Sequence, residues 1–124
     1  MTRLTRSRMT WLVCTAAVFV AVSAYAANQQ QLQYLRQYRQ CPKCDLKKAE
    51  LAGMDLSSAN LQEADLSGAT IYRTNLRKAN LTGAKLEGVR LIGSWLKDAV
   101  GADFTGVTTD ESTECPDGQP GPCH

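Results

Sequence analysis

Four of the five cysteines fall into two close pairs, Cys41-x-x-Cys44 and Cys115 with Cys123, and these are the side chains here best suited to covalent chemistry. A CxxC pair can run thiol–disulfide exchange, but that chemistry needs a thiolate stabilised at a helix N-terminus. This pair instead follows a helix-forming stretch and leads into a regular repeat, with Cys44 at one of its inward positions. A structural disulfide therefore suits it better than a thiol oxidoreductase. Cys41, Cys44, Cys115, Cys123 and His124 are the donor types of a zinc site. The tail would have to return along the whole repeat to assemble them, so no metal is expected. The single histidine, His124, is the last residue of the sequence, where no second group orients it as a general base. There is no nucleophile elbow, phosphate loop or pair of metal-binding histidines. Asp45, Asp55 and Asp65 recur every ten residues at outward positions near corners of the repeat, where they read as solvated or corner-bonding carboxylates and not as catalytic ones. No catalytic residue and no cofactor are expected; the chain reads as a non-enzyme.

The positioning element is a repeat of five. Written from Cys44 the chain runs CDLKK, AELAG, MDLSS, ANLQE, ADLSG, ATIYR, TNLRK, ANLTG, AKLEG, VRLIG, SWLKD, and all eleven central residues are Leu or Ile. The residue two places earlier is mostly small: Ala49, Ala59, Ala64, Ala69, Thr74, Ala79, Ala84 and Ser94 among them. A helix would step these leucines about 140° per unit around its circumference, and a simple strand would alternate them between faces. Only a chain that turns a corner every five residues keeps all eleven inside. Gly, Ser and Asn at the unit ends suit such corners.

These A(D/N)LxG units resemble the pentapeptide-repeat family. The resemblance implies an all-β fold, a right-handed quadrilateral β-helix of about three coils stacked ~4.8 Å apart. The central residue and the one two before it would point inward. After Asp98 the register falters at Ala99-Val100-Gly101 and resumes, shifted by three residues, at Ala102–Gly106, with Phe104 expected to plug the end. The solenoid is therefore placed at 44–106. Open ends would expose apolar core and unpaired backbone groups, so caps are expected. Residues 27–43 supply one, a capping helix with Leu32, Leu35 and Tyr38 or Arg39 on its inner side, stopped near Pro42. Residues 107–124 form an acidic tail in which Cys115 and Cys123 bracket the turn formers Asp117-Gly118 and Pro120-Gly121-Pro122. A local bond would close that loop, although four cysteines allow three pairings. Cys-closed ends are also what the resemblance implies for exported members of the family.

Residues 1–26 read as an export signal: Arg3, Arg6 and Arg8, the apolar run Trp11–Val22, and Ala24-x-Ala26 before a cleavage point. That run is shorter than the ~20 residues of a membrane span, so membrane contact would come only from an uncleaved signal anchor. Cleavage removes Cys14 and leaves an even number of cysteines, suited to an oxidising compartment, periplasmic or extracellular.

With 124 residues the chain makes one small domain, carrying 14 basic and 12 acidic side chains. The three signal arginines leave 11 basic against 12 acidic, which suits neither a generic nucleic-acid binder nor a strongly acidic mimic. Units 20 residues apart should stack. One face then collects Tyr72 and Ile92 with Arg73 and Arg90; the next collects Trp95 with Arg77, Lys78 and Lys97. Tyr72, Ile92 and Trp95 break the polar rule for outward positions, and apolar groups ringed by charge make a candidate binding patch. The acidic tail is the alternative cover for it. The expected function is a non-enzymatic exported scaffold that presents this patch to an extracytoplasmic protein or an anionic envelope polymer. An end-to-end homodimer stays open, since capping and pairing would use the same apolar ends. The family also contains duplex-DNA mimics that inhibit topoisomerases. Those are long acidic cytoplasmic rods, whereas residues 44–106 hold eight basic and eight acidic side chains behind an export signal. No nucleic-acid partner is expected.

Overall fold

The computed structural model describes residues 28–124. The expected export signal at 1–26 lies outside the described residues. Contacts divide the chain after Gln30, and the coil belongs to the unit Gln31–His124. The first element, α1 (28–38), has no Gly or Pro to break it. Leu32 and Leu35, one turn apart, are buried and join the apolar core. Tyr38 does not share that side. It is exposed and lies with its ring 4.7 Å from that of Tyr34, its neighbour four residues back. The helix stops at 38, before Pro42, because Arg39 turns into the left-handed region at φ 52°.

From there one local pattern repeats. Each central Leu or Ile from Leu46 to Leu96 is buried. Except at Ile71, its carbonyl accepts the N–H three residues on, as Leu46 does from Ala49 at 3.1 Å and Leu76 from Ala79 at 3.0 Å. Closing that corner puts the second residue after the leucine in the left-handed region. Glycine takes this conformation freely, but Lys48, Ser58, Glu63, Arg73, Lys78 and Asp98 also adopt it, at roughly 1–2 kcal/mol each. The Asp or Asn before the leucine secures the corner by accepting the N–H two residues on. Asp55 does so from Ser57 at 3.1 Å, Asn60 from Gln62 at 3.1 Å and Asp65 from Ser67 at 3.1 Å. That bond is the physical reason for the (D/N)L dipeptide.

The same residues link the coils. Parallel bridges form four columns at 20-residue spacing: Asp45–Asp65–Lys85, Glu50–Thr70–Arg90, Asp55–Asn75–Trp95 and Gln40–Asn60–Asn80–Val100. Four columns per turn make a four-sided coil. Among the described residues no strand is longer than one bridging residue, so the expected all-β character is carried by isolated bridges, with α1 added. A corner every five residues leaves no room for longer strands.

The bridges run past both ends of the expected 44–106 segment. At the start, Gln40 bridges Asn60, the Cys41 N–H donates to Asn60 at 2.8 Å, and Lys43 is left-handed at φ 59°. Arg39–Lys43 is thus a further unit with Cys41, fully buried, in the leucine place. At the end, Arg90 bridges Thr108 and Trp95 bridges Glu114, 18 and 19 residues apart instead of 20. Phe104 packs against the core half-buried, and the coil goes on past it. Thr113 and Cys115 are buried beyond it. Residues 113–121 then fold back, with Glu114 bridging Pro120 antiparallel and Cys115 N–H donating to Gln119 at 2.8 Å. Disulfides join Cys41 to Cys44 across the first corner and Cys115 to Cys123 across the last loop. No helix among the described residues is long and apolar enough to cross a membrane.

Candidate functional site

Two adjoining sides carry the outward residues that break the polar rule. On the Thr70–Arg90 side, Tyr72 and Ile92 occupy equivalent places on successive coils, tied by Arg73 N–H donating to Ile92 at 3.1 Å. Thr70, Tyr72, Arg90 and Ile92 line a groove of about 200 Å³. Tyr72 is 43% exposed and Ile92 half-buried. The Arg73 guanidinium lies 5.2 Å from the centre of the Tyr72 ring, within cation–π range.

The corner beneath that guanidinium differs from its neighbours. Thr74 N–H does not close on Ile71. It donates to the Ser94 hydroxyl of the next coil at 3.1 Å, and Ser94 Oγ donates on to Ile71 at 3.0 Å. Thr74 Oγ1 in turn donates to Leu51 at 2.8 Å, and Thr113 Oγ1 to Leu91 at 2.9 Å. Three buried hydroxyls thus stitch successive coils along one inner edge, directly behind Tyr72 and Arg73.

On the Asn75–Trp95 side, Trp95 is 40% exposed. Arg77 sits over it, 5.9 Å from the ring centre. Arg77 does not face solvent alone: its Nε and Nη2 donate to Glu114 Oε2 at 2.9 and 2.7 Å. Arg77, Trp95, Ser112, Glu114 and Pro120 are among the residues lining a second hollow of about 300 Å³. The tail therefore runs along both sides, bridging Arg90 through Thr108 and Trp95 through Glu114, and takes up Arg77, while Trp95 and Tyr72 stay partly open.

Charge pairing is uneven around the coil. Arg39 pairs with Asp55, Lys43 with Glu63, and Lys47 and Lys85 with Asp65. On the coils, Lys48, Arg73, Lys78, Arg90 and Lys97 have no ion pair among the described residues, and four of these five gather on the two adjoining sides. The acids at the corners are structural. Side-chain and backbone hydrogen bonds from Ser57 hold Asp55 below the ordinary carboxylate value of 3.8. The Ser67 hydroxyl does the same for Asp65, helped by Lys47 and Lys85. Asp45 and Asp65 stack as bridge partners on one column, while Asp55 stands on another. Among the described residues no cluster of His, Cys, Asp or Glu could hold a metal. Glu114, Thr70 and Ser94 belong to this region without having been singled out. Glu114 was hidden by the broken spacing, and the two hydroxyl residues read as ordinary repeat positions.

The pentapeptide-repeats family matches residues 43–71 and 71–108 in eight copies. That is more than half of the chain, and the chain belongs to this family. No curated protein sequence matches it. Among solved structures it is similar to HetL, a pentapeptide repeat protein involved in heterocyst differentiation regulation from the cyanobacterium Nostoc sp. strain PCC 7120. The identity is 30%, over 66% of this chain and 43% of HetL, with a TM-score of 0.48. This chain thus spans less than half of HetL. It is also similar to the pentapeptide repeat protein Rfr23 from the cyanobacterium Cyanothece 51142, at 23% identity over 68% of this chain and 97% of that one, TM-score 0.26. QnrB1, a plasmid-mediated fluoroquinolone resistance protein, matches at 16% identity over 60% of this chain and 54% of that one, TM-score 0.24.

Proposed function

We propose that this protein is a non-enzymatic, exported binding scaffold, a right-handed quadrilateral β-helix that holds the basic aromatic face of Tyr72, Arg73, Lys78, Arg90, Ile92, Trp95 and Lys97 toward an extracytoplasmic protein or anionic envelope polymer. The observation that carries this reading is the gathering, on the two sides that hold the partly exposed rings of Tyr72 and Trp95, of four cations with no ion pair among the described residues, where most other coil cations are paired. Desolvated aromatics among arginines are the usual anchors of a protein interface. The two disulfides support export, since such bonds persist in oxidising compartments. The test is site-directed photocross-linking in the native host. A photoreactive residue in place of Arg73 or Lys97 should give adducts, and one in place of Gln62 or Glu87, on the other two sides, should give none. Equal labelling from all four positions, or none from any, would contradict the reading.

A further inference from the structure

The face already holds one carboxylate of its own chain. On the Trp95 side an arginine lies over an aromatic ring and holds a glutamate carboxylate supplied by an extended stretch of chain, Glu114 on Arg77. That glutamate comes from a segment paired to the coil through its backbone, with Glu114 N–H donating to Ser94 at 2.9 Å and Leu96 N–H donating to Glu114 at 2.7 Å. One side away an arginine again lies over an aromatic ring but holds no acid: the tail runs there too, Thr108 bridging Arg90, and its Asp110 accepts the Gly93 N–H instead. Arg73 lies over Tyr72, Arg90 stands on the next coil, and neither has a carboxylate within ion-pair distance among the described residues. Between them the Tyr72–Ile92 groove offers about 200 Å³. That is below the ~300–1,000 Å³ of a drug-sized pocket, but suited to a side chain. The hydroxyl of Ser94 locks the corner from behind, so Tyr72 and Arg73 are held before anything arrives.

We propose that this groove binds an acidic, extended peptide segment of a partner protein. A Glu or Asp carboxylate would pair with Arg73 and Arg90, and the apolar side chain two residues along would lie between Tyr72 and Ile92. In an extended peptide alternate residues share a face, so an acidic and an apolar residue two positions apart can reach the arginines and the groove together. The inference rests on the reading of this face as the binding surface and narrows it to a peptide carboxylate.

The test is fluorescence anisotropy of a labelled peptide of repeated Glu-Ser-Leu-Ser, in which glutamate and leucine stand two residues apart on one face, titrated with the disulfide-bonded chain. The glutamine counterpart of the peptide should bind about tenfold more weakly. The double variant Arg73→Gln, Arg90→Gln should lose about as much, with its circular dichroism unchanged. Lys47→Gln, Lys85→Gln removes the same charge from another side and should leave binding as it was. Equal binding of the glutamine peptide, or equal loss in the Lys47, Lys85 variant, overturns the proposal. Arg73- and Arg90-dependent binding of oligogalacturonate, without binding of the peptide, overturns the peptide class and leaves the face standing. Failure of both ligands overturns the groove alone if the Arg73 and Lys97 cross-links persist, and the wider reading as well if they do not.

Discussion

Ser94 completes a corner that Thr74 leaves open: the Thr74 N–H donates to Ser94 Oγ at 3.1 Å instead of to the carbonyl of its own turn. The hydroxyl is both acceptor and donor, since it passes its own proton to Ile71 at 3.0 Å. Both residues are fully buried. Ser94→Ala would strand a buried N–H and is expected to cost about 1–3 kcal/mol, whereas Thr74→Val removes a donor only and should cost about 1 kcal/mol. The Leu51 carbonyl that Thr74 serves still receives the Met54 N–H at 3.3 Å. Urea midpoints of the two variants check the order. A Thr74→Val variant less stable than Ser94→Ala would contradict the bridging role.

Acid should unfold this protein through its corners. Asp55, Asp65, Asp103 and Asp110 all lie below their ordinary value of 3.8, held there by N–H and hydroxyl donors two residues on. A folded-state value below the unfolded one gives stability that is present above the unfolded value and lost as pH falls through the folded one. The melting temperature should therefore be flat above about pH 5 and fall below about pH 4. Asp65→Asn should soften that fall, because asparagine accepts the same bond, as Asn75 does from Arg77 at 3.2 Å, without titrating. An unchanged acid limb in Asp65→Asn would exclude Asp65 as a contributor.

Cys41 holds a leucine place and is bonded to Cys44 across the first corner. Replacing the pair by Val and Ala keeps an apolar filling while removing the cross-link. A loop this short predicts a loss of about 2 kcal/mol. The loss should appear as a lower denaturation midpoint, and the same chain should show no disulfide-exchange activity before or after the change. Exchange activity that vanishes with the pair would instead mark a redox function.

Glycine is needed where two coils crowd. A Cβ on Gly101, at φ 73°, would come within 2.5 Å of the Thr82 Cα, while one on Gly53, at φ 70°, meets nothing within 4 Å. Gly53→Ala should cost only the left-handed penalty of about 1–2 kcal/mol, and Gly101→Ala clearly more. Thermal melts that rank them the other way would contradict the packing of the Val100–Gly101 step onto Thr82.

The leucine column was legible because a period of five admits no helix or flat strand, and every residue from Leu46 to Leu96 in that column is buried. The ends were less legible, for particular reasons. Cys41 carries no leucine signature and Pro42 reads as a helix stop, yet Arg39–Lys43 folds as a unit of the coil. Glu114 reaches Arg77 only because the last turn is shortened, with bridges from Arg90 to Thr108 and Trp95 to Glu114. A fixed-period reading cannot register that shift. The aromatic break at Tyr72 and Trp95 was visible as an anomaly of type. How much of it the tail covers depended on the Arg77–Glu114 pair, which joins residues 37 apart in the chain.

Export as a coil closed by two disulfides is tested most directly by the intact mass of the protein from the envelope fraction of its host. A chain beginning at Ala27, heavier by about 4 Da after reduction of Cys41–Cys44 and Cys115–Cys123, is the predicted result. A chain retaining Met1 or Thr2 with free thiols would contradict it.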